Sequence, residues 1–134
     1  MKFLVVEDEP ISAKVLQALL SEYAECTWAK NGQEAYDHYC DAYEAGENFD
    51  IIFMDIMMPE VGGQEALAAI REFEGENGVD LSSGVKVVMT TTLEDAQNIY
   101  EAHSNGCVDY LVKPVQRKNL TKCLKKIGIS QVTH

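Results

Sequence analysis

Short apolar runs of strand length alternate along the chain with longer segments of helical periodicity. Lys2 to Val6 reads as a strand, and Pro10 then opens a helix in which Ile11, Val15, Leu16, Ala18, Leu19 and Leu20 form an apolar stripe. Cys26 to Ala29 predicts a second strand, Asn31-Gly32 a turn, and Glu34 to Ala45 a polar helix ending near Gly46. Ile51 to Met54 is a third strand, apolar at every position as a strand buried on both faces must be, and Gly63 to Phe73 is a third helix with Ala66, Leu67 and Ile70 facing inward. Glu74 to Gly84, with three glycines and three acids, reads as a long solvated loop. Val85 to Met89 is a fourth strand, Glu94 to Ser104 a helix stopped by Asn105-Gly106, and Val108 to Val112 a fifth strand. Leu120, Cys123, Leu124 and Ile127, at i, i+3, i+4 and i+7, give the inner face of a last helix.

Five strands alternating with five helices predict an α/β fold with a parallel sheet covered on both faces. Right-handed crossovers make it doubly wound, and ligands of such sheets sit outside the carboxyl ends of the strands. A length of 134 residues with 46% hydrophobic content suits one domain with one core, and the sequence shows no repeat, linker or low-complexity tract.

Charge narrows the partners. A net charge of −11 repels phosphate backbones and anionic membrane surfaces, so direct nucleic-acid binding is not expected. The cations cluster late, at Lys113, Arg117, Lys118, Lys122, Lys125 and Lys126; they serve either to complement the last helix's own dipole or to dock a partner. Cys26, Cys40, Cys107 and Cys123 have no CxxC or metal-ligand spacing and read as small hydrophobes. No leader-like or membrane-length apolar stretch is present, and a cytoplasmic protein without membrane insertion is expected.

The polar residues just past the strands converge: Glu7 and Asp8 after the first, Asp55 after the third, Thr91 after the fourth and Lys113 after the fifth. If the strand order is 2-1-3-4-5, Asp8 and Asp55 flank the switch point and share one crevice. Clustered carboxylates repel and take up protons unless a cation joins them. Mg2+, a hard ion with octahedral oxygen ligation, meets that need, whereas the absence of His and Cys at these ends argues against zinc or copper. A carboxylate, a cation, a hydroxyl and an ammonium together form a site for phosphoryl transfer, with Asp55 as nucleophile, Lys113 neutralising the phosphoryl oxygens and Thr91 donating a hydrogen bond.

The segments LVVEDEP, FDIIFMDIMMP followed by Gly63, VVMTT and DYLVKP occur in the order and spacing of a response-regulator receiver domain, and the chain resembles the stand-alone chemotaxis type of that family over essentially its whole length. The resemblance implies a flavodoxin-like sheet of order 2-1-3-4-5, a single receiver domain over residues 1–134 with no output domain, and a role in a two-component phosphorelay. It implies that Asp55 is phosphorylated by a phosphohistidine on a sensor histidine kinase or histidine phosphotransfer protein. Asp8, Asp55 and the Met57 carbonyl would bind Mg2+ directly, and Glu7 mainly through water. Thr91 and Lys113 would hold the phosphoryl group. Tyr110 matches the family's aromatic switch, although an aromatic in a final strand also serves as packing. Lys113-Pro114 matches a peptide bond that is cis in the family. With no output domain, the face of the fourth helix, fifth strand and fifth helix would be read by an unknown downstream protein, and the polar ending Ile129 to His134 suits a stand-alone chain.

Departures from the family pattern are informative. Gly62 stands where an aspartate is common, which predicts a looser loop, and Thr92 stands where alanine or glycine is preferred, narrowing the path for water. A rival reading is a phosphatase of the haloacid-dehalogenase type, which also uses a strand-end aspartate, a threonine, a lysine and Mg2+; it needs a second aspartate two residues on, and here that residue is Met57. Met57 and Leu93 occupy the positions that tune phosphoryl loss in the family, and neither can orient a water. The phosphorylated protein is therefore expected to dephosphorylate slowly on its own, which phosphate release from the purified phosphoprotein measures; rapid release would contradict it.

Overall fold

The computed structural model describes residues 1–56, 58, 61–80, 83–92 and 106–129. Within them the chain runs β1 (Lys2–Val6), α1 (Pro10–Leu20), β2 (Glu25–Ala29), α2 (Gly32–Glu44), β3 (Ile51–Asp55), α3 (Gly63–Glu76), β4 (Lys86–Thr91), β5 (Cys107–Val112) and α4 (Arg117–Ile127). All strand pairs are parallel, in the order β2-β1-β3-β4-β5. The five-stranded doubly wound sheet expected from the sequence is thus observed. Four helices lie among the described residues; the helix expected over 94–104 lies outside them, as do Met57, Leu93 and the tail after Ile129.

The central strands explain why the sheet must be covered twice. Ile51, Ile52, Phe53 and Met54 of β3 are all inaccessible to solvent. Alternation sends Ile52 and Met54 into one core with Leu4, Val6, Val87 and Met89, which α2 and α3 seal with Ala35, Tyr39, Leu67 and Ile70. Ile51 and Phe53 enter the other core with Phe3, Val5 and Val88, sealed from α1 and α4 by Leu16, Leu20, Leu120 and Leu124. α4 ends at Gly128 in the left-handed region (φ 98°), and Lys125 and Lys126 occupy its last turn, where they complement the helix dipole.

Two expectations need correction. In α1 the inner face is Ala13, Leu16 and Leu20, while Ile11 is 70% and Val15 50% exposed. Positions 11, 15 and 18 are as regularly spaced as 13, 16 and 20, so periodicity alone does not choose between the two faces. The second correction concerns the acidic segment after Phe73, which is not wholly a solvated loop: α3 continues to Glu76. Glu74 is buried, its carboxylate accepting from the Tyr39 hydroxyl at 2.7 Å, Arg71 Nη1 at 2.7 Å and the Val85 amide at 2.8 Å. Arg71 in turn donates to the Gly106 carbonyl at 3.3 Å. A buried carboxylate is tolerable when paired and fully hydrogen-bonded, and this one ties α2, α3 and the starts of β4 and β5 together. The chain passes the cluster at Gly84, where a β-carbon would lie 2.4 Å from Glu74 Oε1.

The cysteines form no disulfide, with Cys107 and Cys123 buried and Cys26 and Cys40 half-buried. Among the described residues no helix is long and apolar enough to cross a membrane. Glu74→Ala, which strands the Arg71 charge and the Tyr39 hydroxyl, is expected to lower unfolding free energy by about 3 kcal/mol or more in a urea titration; a loss under about 1 kcal/mol would show that the carboxylate anchors nothing.

Candidate functional site

β1 and β3 lie side by side at the centre of the sheet, with Val6 opposite Met54, so both chains leave the sheet at the same level. Asp55 is the last residue of β3, opposite Thr90 of β4, and its hold on the sheet is extended by the Ile56 amide donating to the Thr90 carbonyl at 3.0 Å. The chain then returns against this strand end: the Gly63 amide donates to the Ile56 carbonyl at 3.0 Å, and a β-carbon at position 63 would lie 2.1 Å from the Asp55 carbonyl oxygen. Only glycine permits that approach. α3 begins at Gly63, and its N-cap residue Gly62 offers no side-chain cap.

On the β1 side, Glu7 is buried and Asp8 exposed, and Glu9 caps α1 by accepting from the Ile11 and Ser12 amides at 3.1 and 2.8 Å. One carboxylate oxygen from each of Glu7, Asp8 and Asp55 lies within 4.8 Å of the others. Lys113, placed just past β5 by its amide donating to the Thr91 carbonyl at 2.7 Å, closes the group: its Nζ is 2.6 Å from Glu7 Oε2 and 3.0 Å from Asp55 Oδ2. The Lys113–Pro114 peptide is cis, as the resemblance implies.

The electrostatics follow from burial and crowding. Burial pushes the Glu7 carboxyl up to about 7, a shift that the Lys113 hydrogen bond opposes and the Asp55 charge reinforces. For Lys113, burial alone would lower the pKa, yet the hydrogen bonds and charges of Glu7 and Asp55 overcome it and raise the pKa above the ordinary lysine value. Lys113 therefore stays charged near neutrality. Three oxygen donors of like charge, with no imidazole or thiolate, fit a hard divalent cation, and a single ammonium leaves them under-neutralised.

The structure brings Glu7, Asp8, Asp55 and Lys113 together. Thr91 is buried at the end of β4, with its hydroxyl donating to the Thr92 carbonyl at 3.0 Å, and Thr92 is exposed. Tyr110 points outward, 44% exposed. Met57 lies outside the described residues. Sequence reading missed Thr90: opposite Asp55 in register, it lines a cavity of about 250 Å³ with Glu7, Ile11, Val15, Lys113 and Pro114. The period-two alternation of β4 carries the signal, since it sends Thr90 and Thr91 to opposite faces of the sheet.

The family model described as response regulator receiver domain matches residues 3–125. The chain is 33% identical over 92% of its length to the osmosensing histidine protein kinase SLN1 of Saccharomyces cerevisiae, and 28% identical over 94% of its length to the chemotaxis protein CheY of Listeria monocytogenes. It spans 10% of the kinase and 97% of the chemotaxis protein. Among solved structures it is similar, with a TM-score of 0.79 and 32% identity over 93% of this chain and 90% of that one, to the co-crystal structure of the Saccharomyces cerevisiae histidine phosphotransfer signaling protein Ypd1 and the receiver domain of its downstream response regulator Ssk1.

Asp8→Asn, which removes one of three clustered charges, is expected to weaken divalent-cation binding at least about tenfold, the equivalent of about 1.4 kcal/mol, in a Mn2+ titration followed by electron paramagnetic resonance. An unchanged titration would place the cation elsewhere.

Proposed function

We propose, from the premise that this chain belongs to the response regulator receiver domain family, that it is a phosphorylation switch in which Asp55 accepts a phosphoryl group from a phosphohistidine. The observation that carries this reading is the convergence of Glu7, Asp8 and Asp55 within 4.8 Å, bridged by Lys113. The similarity to a receiver domain crystallised with a histidine phosphotransfer protein supports such a protein, or a sensor histidine kinase, as donor.

Asp8 and Asp55 would hold Mg2+, with Glu7 behind them and the Met57 carbonyl completing the set. When bound, the cation offsets negative charge on the transferring group. A carboxylate oxygen of Asp55 attacks phosphorus as the bond to the donor's imidazole nitrogen breaks; the electron pair stays on that nitrogen, and a phosphorus–oxygen bond to Asp55 forms. Lys113, already 3.0 Å from Asp55, exchanges its carboxylate partner for a phosphoryl oxygen. Thr91 turns its hydroxyl from the Thr92 carbonyl to the same group, and Tyr110 swings inward to follow it. The surface of β5 and α4 thereby changes shape for a downstream protein.

The reaction stops at one phosphoryl group per chain. The position two residues past the nucleophile is Met57, which cannot protonate a leaving alcohol, so the chain acts as a switch and not as a turnover phosphatase. We assign it to the cytoplasm, where its donors carry their phosphohistidines.

Ile11 and Val15 explain an oddity of α1. They are exposed apolar side chains lining the cavity that Glu7 and Lys113 also line, and Lys113 is itself paired with Asp55. A donor protein delivering its histidine there covers them. Incubation with an autophosphorylated histidine kinase or a phosphorylated phosphotransfer domain is expected to label the wild type and leave Asp55→Asn unlabelled; equal labelling of both would overturn the assignment. Ile11→Glu is expected to slow labelling by the protein donor at least about tenfold while acetyl phosphate labels it normally, as loss of a central apolar contact implies. Equal slowing with both donors would show that Ile11 supports the fold and does not dock a partner.

A further inference from the structure

Trp28 is the chain's single tryptophan, in the edge strand β2 and opposite Val5 of β1. Its ring is half-buried against the core on the α1 side of the sheet, and the Lys30 ammonium lies 5.7 Å from the ring centroid. The indole Nε1–H donates to the main-chain carbonyl of Glu7 at 2.8 Å. The Glu7 amide, on the other side of the same residue, donates to the Ala29 carbonyl at 3.1 Å. β2 therefore grips Glu7 at both of its backbone polar groups, beyond the last residue of the β1–β2 ladder.

That grip falls where the site needs it. The Glu7 carbonyl belongs to the peptide plane joining Glu7 to Asp8, so fixing its direction fixes where Asp8 departs from the backbone. The turn carries three consecutive acids, Glu7, Asp8 and Glu9, and faces Asp55. Like charges held this close push the turn open, and the Lys113 ammonium reaches Glu7 and Asp55 but is not paired with Asp8. We infer that Trp28 is a positioning residue for the cation site, its indole N–H holding the Glu7–Asp8 peptide so that the Asp8 carboxylate stays aligned with that of Asp55. Groups that orient metal ligands in this way typically alter affinity by one to two orders of magnitude when removed.

The inference rests on the cation-dependent reading above, and one experiment separates them. Trp28→Phe keeps an aromatic ring at the β2 edge and removes the donor together with the pyrrole part of the indole. Mn2+ binding followed by electron paramagnetic resonance should be about tenfold weaker in Trp28→Phe than in the wild type. The rate of labelling by acetyl phosphate should return to the wild-type value once Mg2+ is saturating, because the substitution costs cation affinity and not reactivity. In the wild type, Trp28 emission should change saturably with Mg2+, with the same midpoint as the Mn2+ titration scaled for ion identity, and should not change in Asp8→Asn over that range. Wild-type protein that binds no cation would overturn the underlying reading. Wild-type binding matched by equal binding in Trp28→Phe would overturn this inference alone, as would a labelling rate that stays depressed at saturating Mg2+.

Discussion

Lys113 lies within 3.0 Å of Asp55 and closer still to Glu7, two carboxylates that the ends of β3 and β1 carry almost out of water. Buried acids that share a site can remain ionised only if positive charge is brought to them, and a third acid, Asp8, stands beside them. One ammonium does not balance three carboxylates. The residual negative charge prepares the crevice for a cation, and in the proposed reaction a phosphoryl group arriving on Asp55 would give Lys113 a new partner. The packing of the central sheet serves this arrangement: β1, β3, β4 and β5 must hold parallel register for Glu7, Asp55, Thr91 and Lys113 to emerge at one edge.

The two ends of the sheet handle buried charge in opposite ways. At the amino end, Glu74 is satisfied by Tyr39, Arg71 and the Val85 backbone, and Arg71 reaches on to Gly106. Every partner there belongs to the protein, and the cluster has no reason to rearrange. At the carboxyl end the compensation comes from a lysine on a flexible stem at the start of a loop. A fixed base and an adjustable rim suit the proposed switch, whose output would be a change at the ends of β4 and β5.

Much of this was legible in the sequence because strand periodicity and strand-end chemistry are local. The all-apolar run Ile51 to Met54 could belong only to a doubly covered strand, and the polar residue ending it, Asp55, had to lie at a crevice. Glu7, Asp8 and Lys113 followed from the same rule. What could not be read was long-range pairing. Glu74 sits in a glycine-rich acidic stretch that looks solvated until Tyr39, thirty-five positions away, is placed against it. In α1, two equally regular apolar sets competed for the interior. Trp28 carries no motif at all, and its role depends on a hydrogen bond across β1 and β2.

The most direct test of the central claim is the intact mass of the protein after incubation with acetyl phosphate, with and without Mg2+, in wild type and Asp55→Ala. The expected result is a gain of one phosphoryl group in the wild type with Mg2+ and none in the other three samples. An adduct that forms without the cation, or on the Asp55→Ala chain, would contradict it.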